Sequence, residues 1–185
     1  MERWMRVPFW SGVATVLAGT VAGGVMMLAP DGSAATMPTA DRAPVQRSTP
    51  ECTRSDLSAT YKGGDAAMSH VYGRIVLRNT SDVSCWVRGY GGLSYVGGGN
   101  GKQVGAAADR TASSKPKVVL APGDKVRSAV VETSTGPYPQ NECKPTPVDG
   151  FRVYLPDETR SQFIEHQTTG CANDRIHLLS HKAYR

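Results

Sequence analysis

From Cys52 onward the apolar residues of this chain arrive in short runs, separated by Gly, Pro, Asn and Asp at intervals of roughly ten residues, and helical periodicity is almost absent. That punctuation fits an all-β, antiparallel sandwich and argues against helical or α/β architectures. Strands are expected near Asp56–Tyr61, Ser69–Arg78, Val83–Gly89, Leu93–Val96, Lys117–Leu120, Lys125–Thr133, Gly150–Leu155, Ser161–His166 and Asp174–Leu179. "VGGGNGK", from Val96, is expected to join two strands as a hairpin. "LAPGDK", from Leu120, sets Pro122 and Gly123 where a turn needs one fixed and one permissive φ. "TGPYPQNECKPTP", Thr135 to Pro147, is too rich in proline for a central strand and is expected as a long loop pinned by Cys143.

The chain ahead of Cys52 reads differently. Arg3 and Arg6 precede the apolar run "GVATVLAGTVAGGVMMLA", Gly12 to Ala29, and small residues follow at Ser33, Ala34 and Ala35. Residues 1–35 therefore read as an export signal cleaved after Ala35, with an uncleaved membrane anchor as the alternative. Residues 36–51 combine Pro38, Pro44 and Pro50 with small polar residues, the composition of a disordered linker ahead of a sandwich domain at 52–181.

All the cysteines, Cys52, Cys85, Cys143 and Cys171, lie beyond the signal, and an even number in an exported chain argues for disulfides. The pairing expected is Cys52 with Cys85 and Cys143 with Cys171, because each pair brackets one compact run of strand and turn. Zinc would need closely spaced ligands such as C-x-x-C, which the chain lacks; neither a metal nor another cofactor is expected. The net charge is +5, and removing residues 1–35 leaves it so, since Arg3 and Arg6 leave with Glu2 and Asp31. This mild basicity suits anionic partners. In an exported chain it points to an envelope protein or anionic envelope polymer rather than nucleic acid, with the membrane met only through an N-terminal anchor.

The clearest alternation is Val71, Gly73, Ile75 and Leu77 against Tyr72, Arg74, Val76 and Arg78, and the first set is expected to face the core. The next strand sets Val83, Cys85, Val87 and Gly89 against Ser84, Trp86, Arg88 and Tyr90. If the two form a hairpin, a loop of even length at Asn79–Asp82 buries Trp86, whereas an odd loop or a bulge leaves it outside. The odd loop is taken, because it keeps arginines out of the core. Tyr72, Arg74, Arg78, Trp86, Arg88 and Tyr90 would then form an aromatic and basic stripe suited to sugars, phosphate or carboxylate.

The blocks "HVYGRIVLRNTSDVSCWVRGYGGLSYV", "GKQVG", "VVLAPGD", "NECKPTP" and "GFRVYLPDETRSQF" resemble, in order and spacing over residues 52–180, the secreted actinobacterial family known as domain of unknown function 4232. The resemblance implies an immunoglobulin-like sandwich outside the cytoplasm and carries no activity with it. Gly91 stands where that family often has proline, a departure that touches only a turn.

The catalytic motifs are imitations. In "GGLSYVG" the second glycine comes one place late for a nucleophile elbow and no helix follows, so Ser94 reads as a strand serine. "GGGNGKQ" has Gln103 where a phosphate loop needs Ser or Thr, and reads as a hairpin turn. His177 and His181 lack the helix that would aim both at one metal, and "NTS" at Asn79 reads as a turn. The expectation is an exported, non-catalytic module binding an envelope protein or anionic polymer; the alternative is a hydrolase of envelope polymers using scattered carboxylates. A structural domain pairing with a partner through its sheet edges is a third reading.

Overall fold

The computed structural model describes residues 48–185. The export segment and residues 36–47 of the linker lie outside them. Its strands are β1 (Leu57–Lys62), β2 (Ala66–Ala67), β3 (His70–Asn79), β4 (Cys85–Val87), β5 (Gly92–Gly97), β6 (Lys102–Val104), β7 (Asp109–Arg110), β8 (Val118–Leu120), β9 (Lys125–Thr133), β10 (Pro145–Tyr154), β11 (Ser161–Cys171) and β12 (Leu179–His181). A single short helix, α1 (Gln140–Cys143), interrupts them among the described residues.

The larger sheet runs β1-β3-β9-β12-β7, with β2 also against β3; a second runs β11-β10-β5-β6; β4 and β8 form a small third sheet. All pairings are antiparallel except β12 with β7. The period-2 patterns settle which faces close on one another. On β9, Val126, Ser128, Val130 and Glu132 are buried while Lys125, Arg127 and Ala129 are exposed. The buried faces of the two larger sheets meet around Phe151 of β10, whose ring lies 5.0 Å from that of Tyr61 on β1 and 5.3 Å from that of Tyr95 on β5. The burial continues beyond β12 through Ala183 and Tyr184.

Both expected disulfides are present, Cys52–Cys85 and Cys143–Cys171. The hairpin of Val96 to Lys102 forms between β5 and β6, and Gly123 adopts φ +87° in the turn from β8 to β9.

The hairpin expected between the two alternating strands does not form. Both hydrogen-bonding edges of β3 are occupied, by β1 and by β9, and β4 pairs instead with β8. The connection is diverted by Asn79, 1% exposed at the end of β3. Its Nδ2 donates to the carbonyls of Val83 (2.9 Å) and Leu120 (3.0 Å), while its Oδ1 accepts from the backbone N–H (3.0 Å) and hydroxyl (2.8 Å) of Ser81. One buried amide thus does the work of a backbone turn and carries the chain out of the sheet.

The Pro-rich stretch is also only partly a loop. It holds α1, and its last residues open β10, where Pro145 and Pro147 pair with β11. Proline is tolerated there because β5 joins the other edge of β10 only from Gly150. The strand expected at Asp174–Leu179 does not form there; the chain becomes extended later, at Leu179–His181, and shares only Leu179 with the expected range.

Candidate functional site

The outer face of β1, β3 and β9 is where the sequence concentrates unpaired charge. Register places Ser58, Arg78 and Lys125 in one row across the strands, Thr60, Val76 and Arg127 in the next, and Lys62, Arg74 and Ala129 in the third. Two of these rows oppose like charges directly, Arg78 to Lys125 and Lys62 to Arg74, an arrangement that destabilises a sheet. No relief is visible: among the described residues no lysine or arginine lies within ion-pair distance of a carboxylate, and the carboxylate contacts of basic side chains are His166–Glu132 and His177–Asp109. At the centre Val76, on the face expected to be solvent-exposed, is only 4% exposed. Its neighbours are Thr60, Arg74, Arg78 and Arg127, and the aliphatic stems of arginine can cover an apolar residue while their heads stay in water.

The result is a shallow groove of about 320 Å³, lined by Ser58, Thr60, Lys62, Arg74, Val76, Arg78, Thr80, Lys125 and Arg127. Every polar side chain in it can donate a hydrogen bond, and none is a carboxylate. Such a surface attracts anions over an apolar floor.

The stripe read from the sequence divides here. Arg74 and Arg78 belong to the groove, and Tyr72, 47% exposed, stands one row beyond them on the same face of β3. Trp86, Arg88 and Tyr90 form a separate group on and after β4. Cys85 and Val87 are buried as the alternation required, and Trp86 is half-buried with the Lys117 Nζ 4.3 Å from its ring centre. Arg88 Nε donates to the Lys115 carbonyl (3.3 Å), and the Tyr90 hydroxyl donates to the Thr111 carbonyl (2.7 Å). The Tyr90 ring has Arg110 and Lys115 at 5.7 and 5.6 Å, so its partners come from its own chain. The groove's other cations, Lys62, Lys125 and Arg127, lie outside the stripe expected from the sequence. Their signal was the alternation of "KVRSA", which sets Lys125 and Arg127 on one face.

A second polar cluster lies between the sheets. Glu132 of β9, 5% exposed, accepts hydrogen bonds from the hydroxyls of Tyr61 and Tyr95 (the latter 2.6 Å) and from His166 Nε2 at 2.9 Å. Phe151 stacks on the His166 ring with centres 4.6 Å apart. Burial alone would raise the Glu132 pKa, but the bonds from His166, Tyr61 and Tyr95 outweigh it and hold the carboxyl below its usual range. Burial, reinforced by the Glu132 carboxylate, raises both tyrosines. A carboxylate so engaged ties one sheet to the other and is poorly placed to deliver a proton.

Gly73 makes this arrangement possible. A Cβ there would collide with the Tyr61 ring where it crosses β3 toward Glu132. Gly73→Ala is expected to cost about 1–3 kcal/mol by displacing that ring. Urea melts check it, and in a Tyr61→Ala background the same substitution should cost little, the non-additivity of groups in contact.

Among the described residues no group of three or more His, Cys, Asp or Glu could hold a metal ion, and no helix is long and apolar enough to cross a membrane. No curated protein and no solved structure matches the sequence. A family model does match it, from the first bridged cysteine to the start of the last strand: over residues 52–179 the chain belongs to the family described as a domain of unknown function (DUF4232).

Proposed function

We propose that this is an exported, non-catalytic module with an immunoglobulin-like sandwich fold, preceded by a signal or anchor segment and a Pro-rich tether, that binds an anionic polymer or acidic protein of the cell envelope. The contact surface is the groove on β1, β3 and β9. Two disulfides suit a chain that works in an oxidising compartment. The observation that carries the reading is the pair of like-charged rows, Lys62 with Arg74 and Arg78 with Lys125, with no carboxylate side chain in the groove lining. An arrangement that costs stability and is relieved by an anion points to an anionic partner.

Co-sedimentation of the purified domain with isolated envelope fractions tests this. Arg78→Glu and Arg127→Glu together should weaken binding by at least about tenfold, since like-charge juxtaposition at a contact costs several kcal/mol. Binding should also weaken as salt rises. Trp86→Ala with Arg88→Ala should leave it unchanged. The reverse outcome, loss only with the second pair, would move the contact to β4.

A further inference from the structure

We infer that the groove is built for a linear phosphodiester chain whose phosphates are separated by a three-carbon polyol, laid along β3 across all three rows. The inference rests on the anionic reading above and narrows it to one chemistry.

Spacing is the first argument. Successive rows are two residues apart on β3, Arg74 to Val76 to Arg78, a step of roughly 6.5–7 Å at the rise of an antiparallel strand. Each row carries cationic charge: Lys62 with Arg74, then Arg127, then Arg78 with Lys125. One phosphate can satisfy one row. An extended chain with a three-carbon linker between phosphates repeats its charge at about this interval and engages all the rows at once, so that its local concentration works in its favour.

Donor chemistry is the second. Arginine forks and lysines are joined by the hydroxyls of Ser58, Thr60 and Thr80, and no carboxylate or carboxamide lines the groove. A hydroxyl-rich polysaccharide with occasional carboxylates needs strong acceptors as well as donors, and would leave much of this lining unused. A phosphodiester presents only acceptors, and arginine meets phosphate bidentately.

The absence of an aromatic side chain in the lining separates a polyol phosphate from a nucleic acid strand, because single-strand binding draws on base stacking. Tyr72, one row beyond, lies outside the lining, its ring centre 6.3 Å from that of His70.

Fluorescence anisotropy with the whole domain tests this. The probes are a labelled glycerol phosphate hexamer, a glutamate hexamer and a single-stranded DNA hexamer, with glycerol phosphate monomer as competitor. At moderate salt the glycerol phosphate hexamer should bind at least tenfold more tightly than the glutamate hexamer, and monomer should displace it only weakly. Lys62→Gln and Arg127→Gln, in different rows, should each lower the slope of log affinity against log salt by about one. Neither melting temperature should fall, and that of Lys62→Gln, which relieves one like-charged row, should rise slightly. Equal binding of the glutamate hexamer would overturn the phosphodiester inference and leave the anionic reading standing. Tighter binding of DNA would overturn the polyol assignment. Failure of every hexamer to bind, or indifference of binding to both substitutions, would overturn the inference and the underlying reading together.

Discussion

Glu132→Ala is expected to cost the domain about 3–5 kcal/mol, the range for removing one partner from a buried charged network. The loss exceeds that of a methylene cavity because the hydroxyls of Tyr61 and Tyr95 and Nε2 of His166 would lose the acceptor they share. A melting temperature lower by about 10 °C or more would register it. Glu132→Gln keeps the shape and one acceptor oxygen, and should cost less.

The pH dependence separates charge from shape. In the folded domain the Glu132 carboxyl lies below its usual value, so the unfolded chain takes up this proton first as pH falls. Its stabilisation is complete above the ordinary glutamate range and fades as pH drops through the folded pKa. Tyr61 and Tyr95 are shifted the other way, so their contribution is complete below about 10, the ordinary tyrosine value, and is lost as pH rises beyond it. His181 adds a separate acid limb: burial lowers it, a hydrogen bond with the Lys182 backbone opposes that, and Arg110 lowers it further. That limb begins near 6.5. Urea midpoints across pH should therefore show Glu132→Gln flattening the descent in the carboxylate range while the His181 limb survives. An unaltered acid limb in that variant would remove Glu132 from its place as the charged tie between the sheets.

Much of this could be read from side-chain parity. The alternation of β9 sets Glu132 on the same face as Val126 and Val130, so its burial was legible in "KVRSAVVET". Its partners were not, because Tyr61, Tyr95 and His166 lie 71, 37 and 34 residues away and meet only when two sheets close. The groove has the same history. Arg74 and Arg78 were visible on one strand, but which strands flank β3 is a matter of non-local order. Adjacency in sequence favoured β4, while the edges of β3 went to β1 and β9. The side-chain turn of Asn79 decided the difference, and the dipeptide that follows it would look alike in either topology. The disulfides were the most legible feature, since each closes a compact run whose ends the strand pattern already draws together.

Removing those bridges should have the other large effect. The closed loops span 33 and 28 residues, and chain entropy assigns each about 3.5–4 kcal/mol of stabilisation, in a mechanism that is model-dependent. Against a typical total of about 5–15 kcal/mol, loss of one should leave a folded domain and loss of both should bring it to the threshold at physiological temperature. Cys52→Ala with Cys85→Ala, Cys143→Ala with Cys171→Ala, and the fourfold variant, compared by urea melts, measure this. Locally the two bridges should differ. Cys143–Cys171 sits beside an existing ladder, where Pro145 pairs with Cys171 in a long strand. Cys52–Cys85 pins the short β4, held otherwise by β8 and by the chain at Pro50–Cys52, whose bonds are Trp86 N–H to the Pro50 carbonyl and Cys52 N–H to the Trp86 carbonyl, each 2.9 Å. Its loss should open the Trp86 amide to hydrogen exchange well before global unfolding, because so short a ribbon has little else to hold it. If that amide stays protected to the level of β3 in the Cys52→Ala, Cys85→Ala variant, β4 belongs to the cooperative core on its packing alone.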